Sequence, residues 1–181
     1  MNKSIYPCLW FDGQALSAAE FYCSVHPNSK ILSANPMAVV FELNGAKFMA
    51  LNGGPEFHFT EATSFVITCE TQEEIDHYWD KLTEGGSEGK CGWLKDKFGV
   101  SWQVVPSILG KLMSDPEKAP KVMYAFMQMK KFNIYVGFVL LGVSVLNTTQ
   151  AQFNYGAKKK PATTTQGATK DTTVTPAKNA P

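Results

Sequence analysis

Along the first 105 residues, short apolar runs of strand length alternate with two stretches of helical spacing, and the order of these signals occurs twice. Ile5–Phe11 reads as a strand closed by the turn Asp12-Gly13. Ala15, Ala18, Ala19, Phe21, Tyr22 and Val25 then recur at helical spacing, and His26-Pro27-Asn28 ends that helix. Three strands follow, at Lys30–Ala34, Ala38–Leu43 and Lys47–Leu51, the last two joined by Asn44-Gly45, a strong hairpin turn. The second pass opens with a strand at Ser64–Cys69. Thr71 and Glu74 make a capping box, and Ile75, Tyr78, Trp79 and Leu82 line one face of the helix behind it. Gly85-Gly86 stops the helix, and strands at Glu88–Leu94 and Val100–Val105 complete the second pass. Each half places an aromatic pair, Phe21-Tyr22 or Tyr78-Trp79, at a matching point of its helix. The pattern predicts an α+β fold built from two copies of one unit, neither able to bury its apolar face alone.

Beyond Pro106 the spacing turns helical. Ser107 caps a turn carrying Ile108, Leu109, Leu112 and Met113, and Asp115-Pro116 opens a helix toward Lys131, with Pro120 as an alternative start. Met129-Lys130-Lys131 then leads into fifteen uncharged residues, 132–146, followed by small residues at Thr149 and Ala151. Read alone, this is a signal peptide, but it stands far from the N-terminus and falls short of the ~20 residues a spanning helix needs. Three readings stay open for it: a reading frame run on into a second, secreted protein, a weak tail anchor, or a long helix packed on the domain or on a partner. Residues 147–181, rich in Thr, Ala, Lys and Pro, predict a disordered tail. The expected organisation is a domain over 1–131, the apolar segment 132–146 and the tail 147–181.

Charge narrows the function. Residues 1–131 hold 12 lysines against 15 acidic residues, and the excess of lysine lies in the tail. The chain has no arginine, so a planar fork for phosphate or carboxylate is missing, and nucleic-acid or nucleotide binding by the domain is not expected. Cys8, Cys23, Cys69 and Cys91 form no CxxC pair and suggest no zinc site. Cys8 and Cys69 lie in apolar strands and read as buried free thiols, which suits a reducing cytoplasm, and the N-terminus turns polar too early for a signal peptide. His26, His58 and His77 read as surface histidines. The segment Cys91–Pro106 carries one polar residue deep in its second strand, Gln103, flanked by Trp102 and Val104-Val105. An amide there binds ligands through hydrogen bonds but is a poor metal ligand or base.

The strings YPCLWFDGQALSAAEFY, FMALNGGPEFHFTEATSFV, QEEIDHYWDKL, CGWLKDKFGVSWQVVP and LMSDPEKAPKVMYAFMQMKK closely resemble the PhnB-like branch of the vicinal oxygen chelate superfamily, which also holds glyoxalase I and bleomycin-resistance proteins. That branch carries the label 3-demethylubiquinone-9 3-methyltransferase. The resemblance runs from Ile5 to about Lys131 and stops there. It implies two tandem βαβββ modules forming a curled mixed-sheet cup, followed by C-terminal helices. It also implies that the four strand positions which hold a divalent ion in metal-using members, as His or Glu, fall near Pro7, Met49 and Ser64 and at Gln103. None of these is a good ligand for such an ion.

The resemblance and the residues together point to a metal-independent protein that binds, or converts, a small and partly apolar organic molecule in a sheet-lined cup. Alternation puts Ser101, Gln103 and Val105 on one strand face and Ser64, Val66 and Thr68 on another. With Met49, Leu51 and Trp93, these give the expected ligand-binding set: Gln103, Ser64, Met49, Trp93, Ser101, Thr68 and Leu51. No catalytic residue, cofactor or metal is assigned. The alternatives are a metal-dependent lyase or dioxygenase and, as the label says, a methyltransferase, for which no glycine-rich strand–turn–helix is visible. A homodimer is expected, with the Pro116–Lys131 helix as a candidate contact, in the cytoplasm or tethered to a membrane only through 132–146.

Overall fold

A computed structural model of the chain describes residues 5–136. The first module runs β1 (Cys8–Phe11), α1 (Ala15–Val25), β2 (Lys30–Ala34), β3 (Ala38–Leu43) and β4 (Ala46–Asn52). The second runs β5 (Ser64–Cys69), α2 (Gln72–Thr83), β6 (Ser87–Glu88), β7 (Trp93–Lys95) and β8 (Ser101–Pro106). Each forms its own four-stranded mixed sheet, in the orders β1-β4-β3-β2 and β5-β8-β7-β6. In each, the first strand pairs in parallel with the last, and the rest are antiparallel. Short helices α3 (Ile108–Met113) and α4 (Ala119–Met127) follow.

Local chemistry sets these elements. Asn44 and Gly45 both take positive φ, 47° and 84°, the backbone a two-residue hairpin needs. Thr71 Oγ1 accepts from Glu74 N at 3.2 Å while Glu74 Oε2 accepts from Thr71 N at 3.4 Å, so α2 begins with the expected capping box. The strand expected over Glu88–Leu94 is broken. Cys91, at φ 56°, and Gly92 turn the chain between β6 and β7, and only Ser87–Glu88 and Trp93–Lys95 are paired. The helix expected over Pro116–Lys131 is shorter, Ala119–Met127, with Pro120 in its first turn.

One face of each sheet is packed. Leu9 and Phe11, Val39, Phe41 and Leu43, and Phe48 and Ala50 are buried under α1, whose Ala15, Ala18, Ala19, Tyr22 and Val25 meet them. Leu94, Trp102 and Val104 are buried under α2 with its Ile75, Trp79 and Leu82. Trp79 and Trp102 are each 2% exposed, as packing residues should be. The contacts that join the modules run through these packed faces: Phe48 meets Phe65 at 5.3 Å between ring centroids, and Tyr22 meets Trp102 at 5.5 Å. Side chains alternate along a strand, so the other face of each sheet is left uncovered by α1 or α2.

Packing also continues past Lys131, the end expected for the module pair. Phe132 and Ile134 are 3% and 4% exposed. The Gln72 side chain donates to Phe132 O at 3.2 Å and accepts from Ile134 N at 2.8 Å, so one amide holds two backbone groups of the segment. Cys91 N and Gly92 N donate to Met129 O and Lys130 O, both at 2.8 Å. Gly92 is required here, since any side chain would strike Phe132 and Val104 O. The expectations for 137–146 and for the tail lie outside the described residues.

Candidate functional site

The uncovered face of the second sheet carries neutral polar groups, where the first sheet has an apolar patch bordered by Lys30, Glu42 and Lys47. Register places Val66, Gln103 and Trp93 side by side across β5, β8 and β7, and Ser64, Ser101 and Lys95 one row away. Gln103 Nε2 donates to Ser64 Oγ at 2.8 Å. That bond fixes the amide and leaves its carbonyl and second N–H to meet a partner. Ser101 is only 1% exposed, and its hydroxyl has no hydrogen-bond partner among the described residues. Thr68 and Val66 are exposed, Val66 at 58%, an apolar side chain standing free on a sheet.

Five of the seven residues read from sequence, Gln103, Ser64, Trp93, Ser101 and Thr68, thus share one face. Met49 and Leu51 do not join them. They lie on the uncovered face of the first sheet, beside Cys8 and Trp10 of β1 and Ala38 and Val40 of β3. Cys8, Trp10 and Val40 went unremarked in the sequence as lining residues. The signal that finds them is the parallel pairing of β1 with β4, Cys8 opposite Met49 and Trp10 opposite Leu51, which no local period reveals. Cys8 is exposed, not buried as its apolar strand suggests; partial desolvation raises its thiol above the ordinary range, against thiolate chemistry. Cys69 is buried, its thiol pushed up to about 12 by desolvation first and by Glu74 and Glu70 after. All four cysteines are free.

A metal does not fit this donor set. Pro7 precedes β1 and offers only its carbonyl, which accepts from Met49 N at 3.0 Å. Met49, Ser64 and Gln103 bring a thioether, a hydroxyl and an amide where a divalent ion wants imidazole or carboxylate. Among the described residues no group of three or more His, Cys, Asp or Glu side chains is arranged to hold an ion. His58 is exposed, and His77 on α2 makes a 2.9 Å ring hydrogen bond with Val25 O.

His26 departs from expectation: it is buried, 9% exposed, at the C-cap of α1. Its ring lies 5.1 Å from Tyr78 and 5.4 Å from Trp102, between the modules, and Nε2 has no hydrogen-bond partner among the described residues. Burial, with His77 adding repulsion, pulls its pKa down to about 4. A cleft of about 470 Å³ opens beside it, with Glu73, Glu74, His77 and Tyr78 on the α2 side.

The second buried ion-former is Asp96, 3% exposed. Its Oδ1 accepts from Phe98 N (2.8 Å) and Val100 N (3.0 Å); its Oδ2 accepts from Trp102 Nε1 (2.8 Å) and Tyr22 OH (2.9 Å). The first pair shapes the β7–β8 turn. The Tyr22 bond ties that turn to the other module. Burial lifts the Asp96 carboxyl above its usual range, and the four donors pull back. Sequence shows Asp96 only as a polar turn residue.

Two βαβββ units, each a helix laid on a mixed sheet whose first strand runs parallel to its last, define the vicinal oxygen chelate fold. The chain belongs to the 3-demethylubiquinone-9 3-methyltransferase family, whose profile matches residues 3–105, more than half of it. The PhnB protein from Bacillus cereus is 35% identical over 58% of this chain and all of its own, with a TM-score of 0.54. A glyoxalase-related enzyme from Fulvimarina pelagi is 12% identical over 60% of this chain and 91% of its own, TM-score 0.45. The fosfomycin resistance protein FosX from Listeria monocytogenes, complexed with Mn(II) and sulfate, is 11% identical over 67% and 97%, TM-score 0.46. No curated protein matches the chain.

Proposed function

We propose that this protein binds a small, partly apolar organic molecule without a metal ion, against the uncovered face of the second sheet. The observation that carries this reading is the Ser64–Gln103 pair. A fixed amide flanked by Val66 and Trp93 is a neutral polar anchor in an apolar floor, the usual make-up of a small-molecule site. A second copy of the chain is the proposed cover. Trp10, Val40, Met49 and Leu51 on the first sheet would then serve as the apolar wall facing Gln103 across the dimer.

The family description names a methyltransferase. Its cofactor asks for a glycine-rich turn free to approach it closely, and both glycine pairs are already in use. Gly53 lies under the Trp10 indole, and Gly86 lies against Lys95 O. Four free cysteines favour a reducing compartment. Among the described residues no helix is long and apolar enough to cross a membrane.

The test is metal content and thermal midpoint of the purified chain, with chelator and with added Mn²⁺, Ni²⁺ and Zn²⁺. The expected result is substoichiometric metal and an unchanged midpoint. Stoichiometric metal, or a midpoint that chelator lowers by several degrees, overturns the reading. Sedimentation should give a dimer.

A further inference from the structure

The linker between the modules closes a second cavity, of about 240 Å³, walled by Trp10, Phe57, Phe59 and Phe98 and carrying Lys95 and His58. Its aromatic walls are fixed from behind. Trp10 Nε1 donates to Gly54 O at 2.8 Å, and the indole lies on Gly53, where any side chain would collide with it. Phe59 and Phe98 both pack edge-on to the buried Phe11, at 5.3 and 6.1 Å. Phe57 is the exception: it meets Trp10 edge-on at 4.9 Å and is 58% exposed, a wall free to move.

The polar side of the cavity is exchangeable. Lys95 Nζ lies 2.7 Å from Glu61 Oε1, but the Glu61 side chain is 65% exposed, and a solvated ion pair of this kind holds weakly. His58 and Gln14 line it with polar side chains, and Asp12 supplies one carboxylate at the rim. The volume is below the ~300–1,000 Å³ of sites for drug-sized molecules, which limits an occupant to one ring with a short polar group.

We infer that this cavity binds a single-ring aromatic carboxylate. The ring sits edge-to-face among Trp10, Phe57 and Phe98, the arrangement aromatic groups prefer, and the carboxylate takes the place of Glu61 on Lys95. The cavity shares Trp10 and Lys95 with the uncovered sheet faces, but it does not include the Ser64–Gln103 anchor and does not rest on it.

Benzoate, titrated into the full chain by calorimetry and by saturation-transfer NMR, tests the assignment, with benzamide as the uncharged ring and acetate as the ringless anion. Saturable benzoate binding is expected, with benzamide and acetate weaker. Lys95→Gln and Phe57→Ala should each weaken benzoate about tenfold, the effect of one lost polar or ring contact. Gln103→Ala should leave it unchanged. Absence of saturable benzoate binding, or binding untouched by Phe57→Ala, would overturn the inference. Loss of binding in Gln103→Ala with Phe57→Ala silent would move benzoate to the sheet face and overturn it equally. Both substituted side chains are partly exposed, and circular dichroism confirms that the variants fold.

Discussion

The two modules share one topology and differ in almost everything laid upon it. The first sheet presents an apolar patch on its uncovered face, Cys8, Trp10, Val40, Met49 and Leu51, bordered by the charged Glu42, Lys47 and Lys30, and its β2 is an exposed edge. The second presents hydroxyls and an amide, Ser64, Thr68 and Gln103, with Ser101 on the same strand parity but buried. It also holds the buried carboxylate and the pinned segment 129–134. A repeated unit therefore need not repeat its chemistry: the first copy supplies an apolar patch with charges at its margin, and the second supplies neutral polar groups. Their only described polar tie through a buried charge is Tyr22 to Asp96.

The comparison breaks most severely at Asp96. Replacing it with Ala leaves four donors without their acceptor and removes one polar tie between the modules, and should cost about 4 kcal/mol in urea denaturation. Asp96→Asn should cost less, because the amide oxygen still accepts. Phe132→Ala removes the plug of the second module and should cost about 3–4 kcal/mol. A chain ending at Lys131 should lose at least as much, while one ending at Val136 should keep it.

Acid sharpens the difference. The His26 pKa is lowered on folding, from 6.5 to about 4, so the unfolded chain takes up a proton first as pH falls. The stability that neutral His26 provides is fully present above pH 6.5 and is lost through that window, to a total of about 3 kcal/mol near pH 4. Asp96 acts in the opposite sense, since its raised pKa favours the fold as pH falls. Thermal midpoints between pH 7 and pH 4 should drop steeply for the wild type and much less for His26→Phe; equal slopes would contradict the assignment. The smallest effect is expected at Gln103→Ala, within about 1 kcal/mol of wild-type stability, because one half-buried hydrogen bond is lost. Its signature belongs to ligand binding instead.

What the sequence disclosed follows from range. Asn44-Gly45, the Thr71–Glu74 box and the alternation around Gln103 are written within a few residues, and the structure has all three. The seven site candidates fall on the uncovered faces but are split between two sheets, since alternation tells which side of a strand a residue takes and not which sheet faces it. Tyr22 and Asp96 are 74 residues apart, so no local pattern marks their bond. His26 looks like any helix-ending histidine until Tyr78 and Trp102 arrive from the other module. For the segment after Lys131 composition leaves three readings open; Phe132 and Ile134, at its described start, are buried in the domain, and 137–146 lie outside the described residues.

The outer strand of the first sheet has a consequence for association. Pairing between β2 and β3 slips between Ile31 and Ser33, so β2 does not offer a straight row of free amides and carbonyls. Irregular edges of this sort are poor templates for an incoming strand, and the equivalent border of the second sheet, β6, is only two residues long. Growth by strand addition, the route to fibrils, is thereby discouraged at these two of the four edge strands, which leaves β1 and β5 as the more regular borders.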